Sequence, residues 1–251
     1  MSADHALPTI VVPCFNEARR LDEARFVALA ESGRLNLLFV DDGSTDPTCT
    51  TLLRLAGASP AISVCALPHN QGKSEAVRTG LLEAVTQGAS IVGYYDADLA
   101  TPPDELLRLL TVIDTRPEID AVFGSRVAKL GSIIERTNLR HYVGRIYATA
   151  ASWALGVPVY DTQCGLKLFR VTPTFVDAIA EPFASRWAFD VELLGRLLTG
   201  TANSPGVAVD AFLEVPLNSW KDVGGSHLRA SDGIAALWQV VAIGLRRRKS
   251  S

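Results

Sequence analysis

Short apolar runs that stop abruptly on polar, turn-forming residues recur through the first half of the chain, with helical patterns between them. Thr9–Val12, Leu37–Val40, Ala61–Ala66, Ile91–Tyr95 and Ala121–Phe123 read as short strands, the continuous apolar ones buried on both faces. Helical periodicity predicts one helix that Asn16 caps and that runs to about Glu31. A second covers Ser74–Thr86, with Ala76, Val77, Gly80, Leu81, Ala84 and Val85 on one face. A third covers Pro103–Asp114, started by Thr101 with Pro102 at its first position and Asp104 at its third. Strand and helix in alternation predict an α/β fold: one domain, a mainly parallel sheet, right-handed crossovers and helices on both faces. Past Gly124-Ser125-Arg126 the alternation ends. A helical stretch over Leu139–Leu155, rich in small and aromatic residues, leads into the segment Tyr160–Phe169. A helix near Ala188–Leu198, a strand near Val207–Val215, a glycine-containing loop over Asn218–Arg229 and a last apolar helix complete the chain.

The acidic turns suggest what this scaffold does. In IVGYYDADLATPPD, Ile91 to Asp104, an apolar strand runs onto two aspartates one residue apart and then into a helix start. Asp96 and Asp98 therefore fall at the carboxyl end of a central strand, where open α/β sheets bind ligands. At i and i+2 both carboxylates can point to one side and offer hard oxygen ligands to Mg²⁺ or Mn²⁺, ions that also bind phosphates. Turn chemistry alone explains them less well, because Thr101–Asp104 already supplies the helix start. Asp41 and Asp42 end the second strand in the same way, and Gly72-Lys73 precedes the next helix. Lys73 can meet phosphate oxygens there, although a single Gly-Lys without P-loop spacing reads equally as a solvated helix-end lysine. Neither GxxxxGK[ST] nor GxGxxG occurs, which counts against an ATPase or a dinucleotide-binding protein.

Composition narrows the classes further. The 251 residues are 48% hydrophobic and 20% charged, enough for one substantial core. A formal net charge of -3 gives no basic field for nucleic acid outside one local run, Arg246 to Lys249. Cys14, Cys49, Cys65 and Cys164 are dispersed, so neither a zinc site nor a disulfide framework is expected, and reduced cytosolic thiols are. MSADHALPT lacks the basic region and apolar core of a signal peptide.

Taken in order, VVPCFNEARRL, LLFVDDGSTDPT, HNQGKSEAVRTGL, YYDADLATPPDEL and VFGSR resemble the inverting family 2 glycosyltransferases of GT-A fold, whose sheet is Rossmann-like. DTQCGLKLFR, RWAFDVELL and EVPLNSWKDVGGSHLR look like the branch that contains the dolichyl-phosphate β-glucosyltransferases and polyprenyl-phosphate sugar transferases. The resemblance implies that Pro13, Asn16, Glu17, Asp41 and Asp42 surround the nucleoside and that Lys73 lies near it or its phosphates. It implies that Asp96 and Asp98 bind the metal and that Arg126 lies near the acceptor phosphate or the donor. Gln163 and Lys167 should line the acceptor and sugar side. Ser226, His227 and Arg229 should belong to a mobile loop that closes on the diphosphate. For Arg126, bracing of the metal loop is the competing role; for Gln163, it is satisfying backbone groups. The implied reaction moves a sugar, glucose from UDP-glucose as the first expectation, to a polyprenyl or dolichyl phosphate. Such an oxygen is already anionic, so attack needs alignment and charge neutralisation more than a base. Asp190 is the only general-base candidate, and its bland reading is a carboxylate at a helix start. Other readings keep the fold but take GDP-mannose, UDP-GlcNAc or a soluble acceptor, or make the protein a non-catalytic nucleotide-sugar binder.

The end of the chain bears on location. Residues 1–232 read as the catalytic domain and 233–251 as an apolar helix with a basic tail. Gly233–Leu245 would span about 20 Å as a helix, short of a ~30 Å hydrocarbon core. Peripheral attachment at the cytoplasmic face of a membrane is the expectation, with Arg246–Lys249 at the headgroups and Tyr142, Tyr147 and Trp153 in the interface. Packing of this helix into the core, or against a second copy as a homodimer, competes with it.

Overall fold

The computed structural model describes residues 6–135, 138–201, 203–223 and 230–250. The apolar runs fold as strands β1 (Thr9–Cys14), β2 (Asn36–Asp41), β3 (Ile62–Ala66), β4 (Ile91–Tyr95) and β5 (Ala121–Ser125). Alternate residues of one strand serve opposite faces. Ile10, Val12, Leu37 and Phe39 pack on one side, and Val11, Leu38 and Val40 on the other. Helices α1 (Glu23–Glu31), α2 (Thr48–Ala58) and α4 (Pro103–Thr115) cover the first face. Helix α3 (Lys73–Thr86) lies on the second, with α5 (Asn138–Leu155), α6 (Pro173–Ala180), α7 (Phe189–Thr199) and α8 (Ala230–Ser250). Helix α3 comes down hard on the sheet at Gly80, where a Cβ would lie 2.5 Å from Val11 and 2.8 Å from Val40.

The sheet order is β3-β2-β1-β4-β7-β5-β8, with β7 at Leu166–Arg170 and β8 at Phe212–Pro216. Every pairing is parallel except those of β7, which runs antiparallel between β4 and β5. β6 (Ile133–Glu135) and β9 (Ser219–Lys221) form a separate parallel pair. This is the expected α/β sandwich, a single domain.

Several local expectations change. Asn16 does not cap a helix: the chain from Phe15 to Asp22 is irregular, and α1 starts only at Glu23 with Asp22 as its cap. The amide N–H groups that would begin the helix are taken elsewhere, Glu17 N by Thr48 Oγ1 at 2.8 Å and Ala18 N by the same oxygen at 3.0 Å. Helix α4 starts at Pro103 as read, but its cap is Pro102 rather than Thr101 and makes no side-chain bond, while the Thr101 carbonyl accepts from the Tyr95 hydroxyl. The strand near Val207–Val215 is confined to β8, preceded by a 3-10 turn at Val209–Ala211. Tyr147 is buried, so it is no interface residue, whereas Tyr142 is exposed and Trp153 partly so.

Helix α8 packs on α5 and α7, with Ala236 and Val240 buried and Gly244 against Trp153 and Ala154. Gln239, the one polar side chain between Gly233 and Leu245, accepts from the Ser185 hydroxyl at 2.6 Å. Trp238 and Leu245 remain exposed. Among the described residues no helix is long and apolar enough to cross a membrane.

Candidate active site

The carboxyl ends of β1, β2 and β4 open on the same rim of the sheet. Pro13 pairs in register with Val40, placing the Asn16-Glu17 turn beside the loop that leaves β2. Asn16 adopts φ +56°, and its Oδ1 accepts from Thr45 N at 2.8 Å and Asp46 N at 3.3 Å. Glu17 is buried and paired with Arg20 at 2.6 Å. Asp41 accepts from the Ser44 amide and hydroxyl, so its carboxylate shapes the loop beyond β2. Asp42 reaches the other way and accepts from Asn70 Nδ2, Gln71 N and Gly72 N at 2.7–2.9 Å. Burial pushes the Asp42 carboxyl up, against the opposing pull of those donors and Arg186. The five residues expected around a nucleoside thus form one contiguous wall, locked by hydrogen bonds between loops.

Beside it stands the acidic turn. Lys73, in the first turn of α3, sets its Nζ 2.5 Å from Asp96 Oδ1. Burial alone would lower the ammonium's pKa, but the charges of Asp96, Asp190 and Asp98 hold it above its ordinary value. Asp98 accepts from Ala100 N at 3.0 Å, and Leu99 between them takes φ +53°. Burial and then the charge of Asp96 raise the Asp98 carboxyl, with Ala100 N, Lys73 and Arg20 opposing. A half-buried carboxylate beside a second one is costly to keep ionised alone, and the donors are hard oxygens, so the pair suits a divalent cation. Among the described residues no third ligating side chain joins them; phosphate and water oxygens would complete the shell, as Mg²⁺ sites commonly do.

The antiparallel β7 brings the second half of the chain to this turn. Asp96 N donates to the Gly165 carbonyl at 3.0 Å, and a Cβ on Gly165 would overlap the Asp96 carboxylate, lying 2.7 Å from Oδ1. Gln163 donates through Nε2 to the Trp187 carbonyl at 3.3 Å, so it does satisfy a backbone group while remaining exposed on this rim. Arg126 is held by Asp161 through Nε at 2.6 Å and Nη2 at 2.8 Å, over the Trp220 ring. Asp161 is itself fixed from behind: Tyr160 N and Asp161 N donate to Glu214 at 2.8 and 2.6 Å. Burial opposes ionisation of Asp161, but Arg126 outweighs it and keeps the carboxyl below the usual range.

Lys167 corrects an expectation. It does not line the acceptor side: it is only 1% exposed, and its ammonium bonds the Cys164 carbonyl at 2.6 Å and Asp190 at 2.8 Å. Asp190, at the start of α7, also accepts from the Tyr94 hydroxyl. A charge inside the sheet is tolerable because it is paired and hydrogen-bonded. The general-base candidate is thus already occupied by two donors. Ser226, His227 and Arg229 lie outside the described residues. Sequence reasoning missed Gly165, Tyr94, Glu214 and Asp161 as a brace; the first and last lie inside the DTQCGLK motif, and Tyr94 and Glu214 open the YYDADL and EVPLNSW segments, but nothing in the local pattern shows what they bond.

Comparison with known proteins adds a decisive match: residues 9–175, from the first residue of β1 into α6, fit Glycosyl transferase family 2. The chain belongs to that family. A dolichyl-phosphate β-glucosyltransferase of Trichomonas vaginalis is 30% identical over 258 residues, covering 97% of this chain and 72% of the relative. The mouse dolichyl-phosphate β-glucosyltransferase is 34% identical, covering 88% and 69%. A polyprenol monophosphomannose synthase of Mycolicibacterium smegmatis is 25% identical, covering 95% and 87%. Among solved structures, the glucosyl-3-phosphoglycerate synthase of Mycobacterium tuberculosis with Mn²⁺ and UDP-glucose superposes with a TM-score of 0.68 at 21% identity, covering 96% and 78%. The fold of this family 2 glycosyltransferase is GT-A.

Proposed function

We propose that this glycosyltransferase moves glucose from UDP-glucose to a polyprenyl or dolichyl phosphate, inverting the anomeric centre, with Mg²⁺ or Mn²⁺ at Asp96 and Asp98. The observation that carries the acceptor and sugar is the near full-length likeness to dolichyl-phosphate β-glucosyltransferases. The acidic turn, Lys73 and the Asp41-Asp42 wall sharing one rim support the donor side. The bound ion would supply Lewis-acid stabilisation of the departing diphosphate. The chain's own groups do the rest. Pro13, Asn16, Glu17, Asp41 and Asp42 seat the nucleoside. Lys73 turns its ammonium from Asp96 toward the diphosphate, and Ser226, His227 and Arg229 close over it. Arg126, anchored by Asp161, lends positive charge where the acceptor enters, with Gln163 beside it. Because the attacking oxygen is already anionic, orientation matters more than proton removal. Asp190 then serves with Lys167 to hold β7 against β4, taking a proton only if the acceptor is a hydroxyl.

Peripheral membrane attachment at the cytoplasmic face belongs to the same reading. Tyr142, Val143 and Ile146 of α5 are exposed, as are Trp238 and Leu245 of α8, which packs on α5. The likeness to a polyprenol monophosphomannose synthase supports a second donor, a mannose nucleotide. Incubation with a panel of radiolabelled nucleotide sugars, polyprenyl phosphate and Mg²⁺ or Mn²⁺, then extraction into organic solvent, decides both. Label extracted from UDP-glucose alone is the expected result. Label extracted only from a mannose donor transfers the reading to mannose, and label only in water rejects the lipid acceptor.

A further inference from the structure

Between α5 and the loop that enters β7 lies a cation whose donors are not all used. Arg145 of α5 lies over the Tyr160 ring, its guanidinium carbon 4.0 Å from the ring centroid. Its Nη1 is buried and has no hydrogen-bond partner among the described residues. A buried donor of a charged group left unpaired is costly, so such an atom calls for an explanation. The recess it lines has a cavity of about 30 Å³ and is bounded by Arg126, Tyr147, Tyr160, Asp161 and Gln163. About 10–15 Å³ suffices for a water oxygen, so the space admits one or two ligand oxygens and no sugar ring. The carboxylate in the recess, Asp161, is held in a two-pronged pair by Arg126. Stacking on Tyr160 fixes the plane of the Arg145 fork, the arrangement that suits a phosphate. The recess borders the reacting centre along the backbone: Gln163 lines it, and Gly165 touches Asp96.

We propose that Arg145 is the anion receptor for the acceptor: a terminal oxygen of a phosphate monoester enters this recess and accepts a hydrogen bond from Nη1, with the positive charge of Arg126 alongside. The proposal deepens the reading above and rests on it only for the acceptor being a phosphate. A lipid and a soluble phosphate monoester share the chemistry, and the experiment separates them.

Calorimetric titration of the full chain with citronellyl phosphate, with glycerol phosphate and, separately, with UDP and Mn²⁺ tests it. Wild type binds citronellyl phosphate. Arg145→Gln weakens that binding about tenfold to a hundredfold, the loss expected for a hydrogen bond to a charged group, and leaves UDP affinity and melting temperature unchanged. Arg145→Lys, which keeps the charge but loses the stacked fork, falls between. Unaltered monoester affinity in Arg145→Gln overturns the proposal, as does a matching loss of UDP binding, which would mark a folding role. Should Arg145→Gln not fold, unaltered monoester affinity in Arg145→Lys overturns it equally, and selective weakening there supports it. If wild type binds glycerol phosphate and not citronellyl phosphate, and Arg145→Gln loses it, the anion receptor stands and the lipid acceptor falls. If wild type binds neither monoester, the proposal is wrong.

Discussion

Replacing Gly165 by alanine tests whether the position of Asp96 governs the reaction, because the perturbation is a single methyl group aimed at one carboxylate. The added carbon would overlap that carboxylate and stand 2.7 Å from Oδ1, where ordinary contact begins at 3.4 Å. Oδ2 and Cγ of Asp96 come closer still, so Asp96 must retreat by more than about 1 Å, since the methyl sits on backbone paired to Asp96 N at 3.0 Å and cannot itself move far. The retreat also breaks the 2.5 Å pair with Lys73. Overpacking of this kind costs ~1–3 kcal/mol of stability, and a displacement near 1 Å at a reacting centre costs up to about a hundredfold in rate. We expect Gly165→Ala to fold, to melt several degrees lower, and to transfer sugar about ten- to a hundredfold more slowly. Initial rates of label transfer, alongside circular-dichroism melts, provide the measurement. Gly57→Ala is the control: it is exposed, inside α2 and meets nothing within 4 Å, so it should leave the rate unchanged. A folded Gly165→Ala enzyme with the wild-type rate would show that Asp96 need not stay where the structure puts it.

Further perturbations separate the charged groups. Asp98→Ala should drop transfer by far more than tenfold, beyond ~1.4 kcal/mol of barrier, with the far-ultraviolet spectrum unchanged; retention of a tenth of the rate would count against metal binding there. Lys167→Met leaves Asp190 without its buried ammonium and should cost about 3–5 kcal/mol in urea unfolding, whereas Lys167→Met with Asp190→Leu should recover much of it; no recovery would mean the two do not act as a pair. Asp161 has a carboxyl held below its unfolded value, so its contribution is complete above about pH 4, the unfolded range, and is lost as pH falls through the lower folded value. Asp161→Asn should therefore be less stable at neutral pH and show a shallower loss of stability on acidification; parallel acid-unfolding curves would contradict the assigned pair.

How far the sequence could be read depends on where each signal lies. Ile91–Tyr95 was legible to the residue because a parallel strand buried on both faces is an unbroken apolar run, and its end is marked by Asp96 and Asp98. The wall of Pro13, Asn16, Glu17, Asp41 and Asp42 was legible as residues but not as structure: Asn16 looks like a helix cap, and only its contacts with Thr45 and Asp46, and those of Glu17 with Thr48, show why it is not one. β7 was invisible for a different reason. Its second residue is Lys167, a type almost never fully buried unless paired, and the partner, Asp190, lies on another element and beyond any local window. The Arg126–Asp161 brace has the same character, since both ends are polar and only the fold brings them together. Local patterns thus report strands and caps, whereas long-range charge pairs declare themselves only in three dimensions.

The antiparallel strand also ties the acidic turn to chain made late in synthesis. β1, β2, β3 and β4 pair through neighbours made early in synthesis, but the far side of β4 waits for β7, whose Arg170 registers with Ile91. Until then β4 is a bare edge, with unpaired amide and carbonyl groups open to another chain. The QCG segment that completes the acidic turn is thus the same piece of chain that covers this edge, so one late-made stretch serves both the sheet and the site.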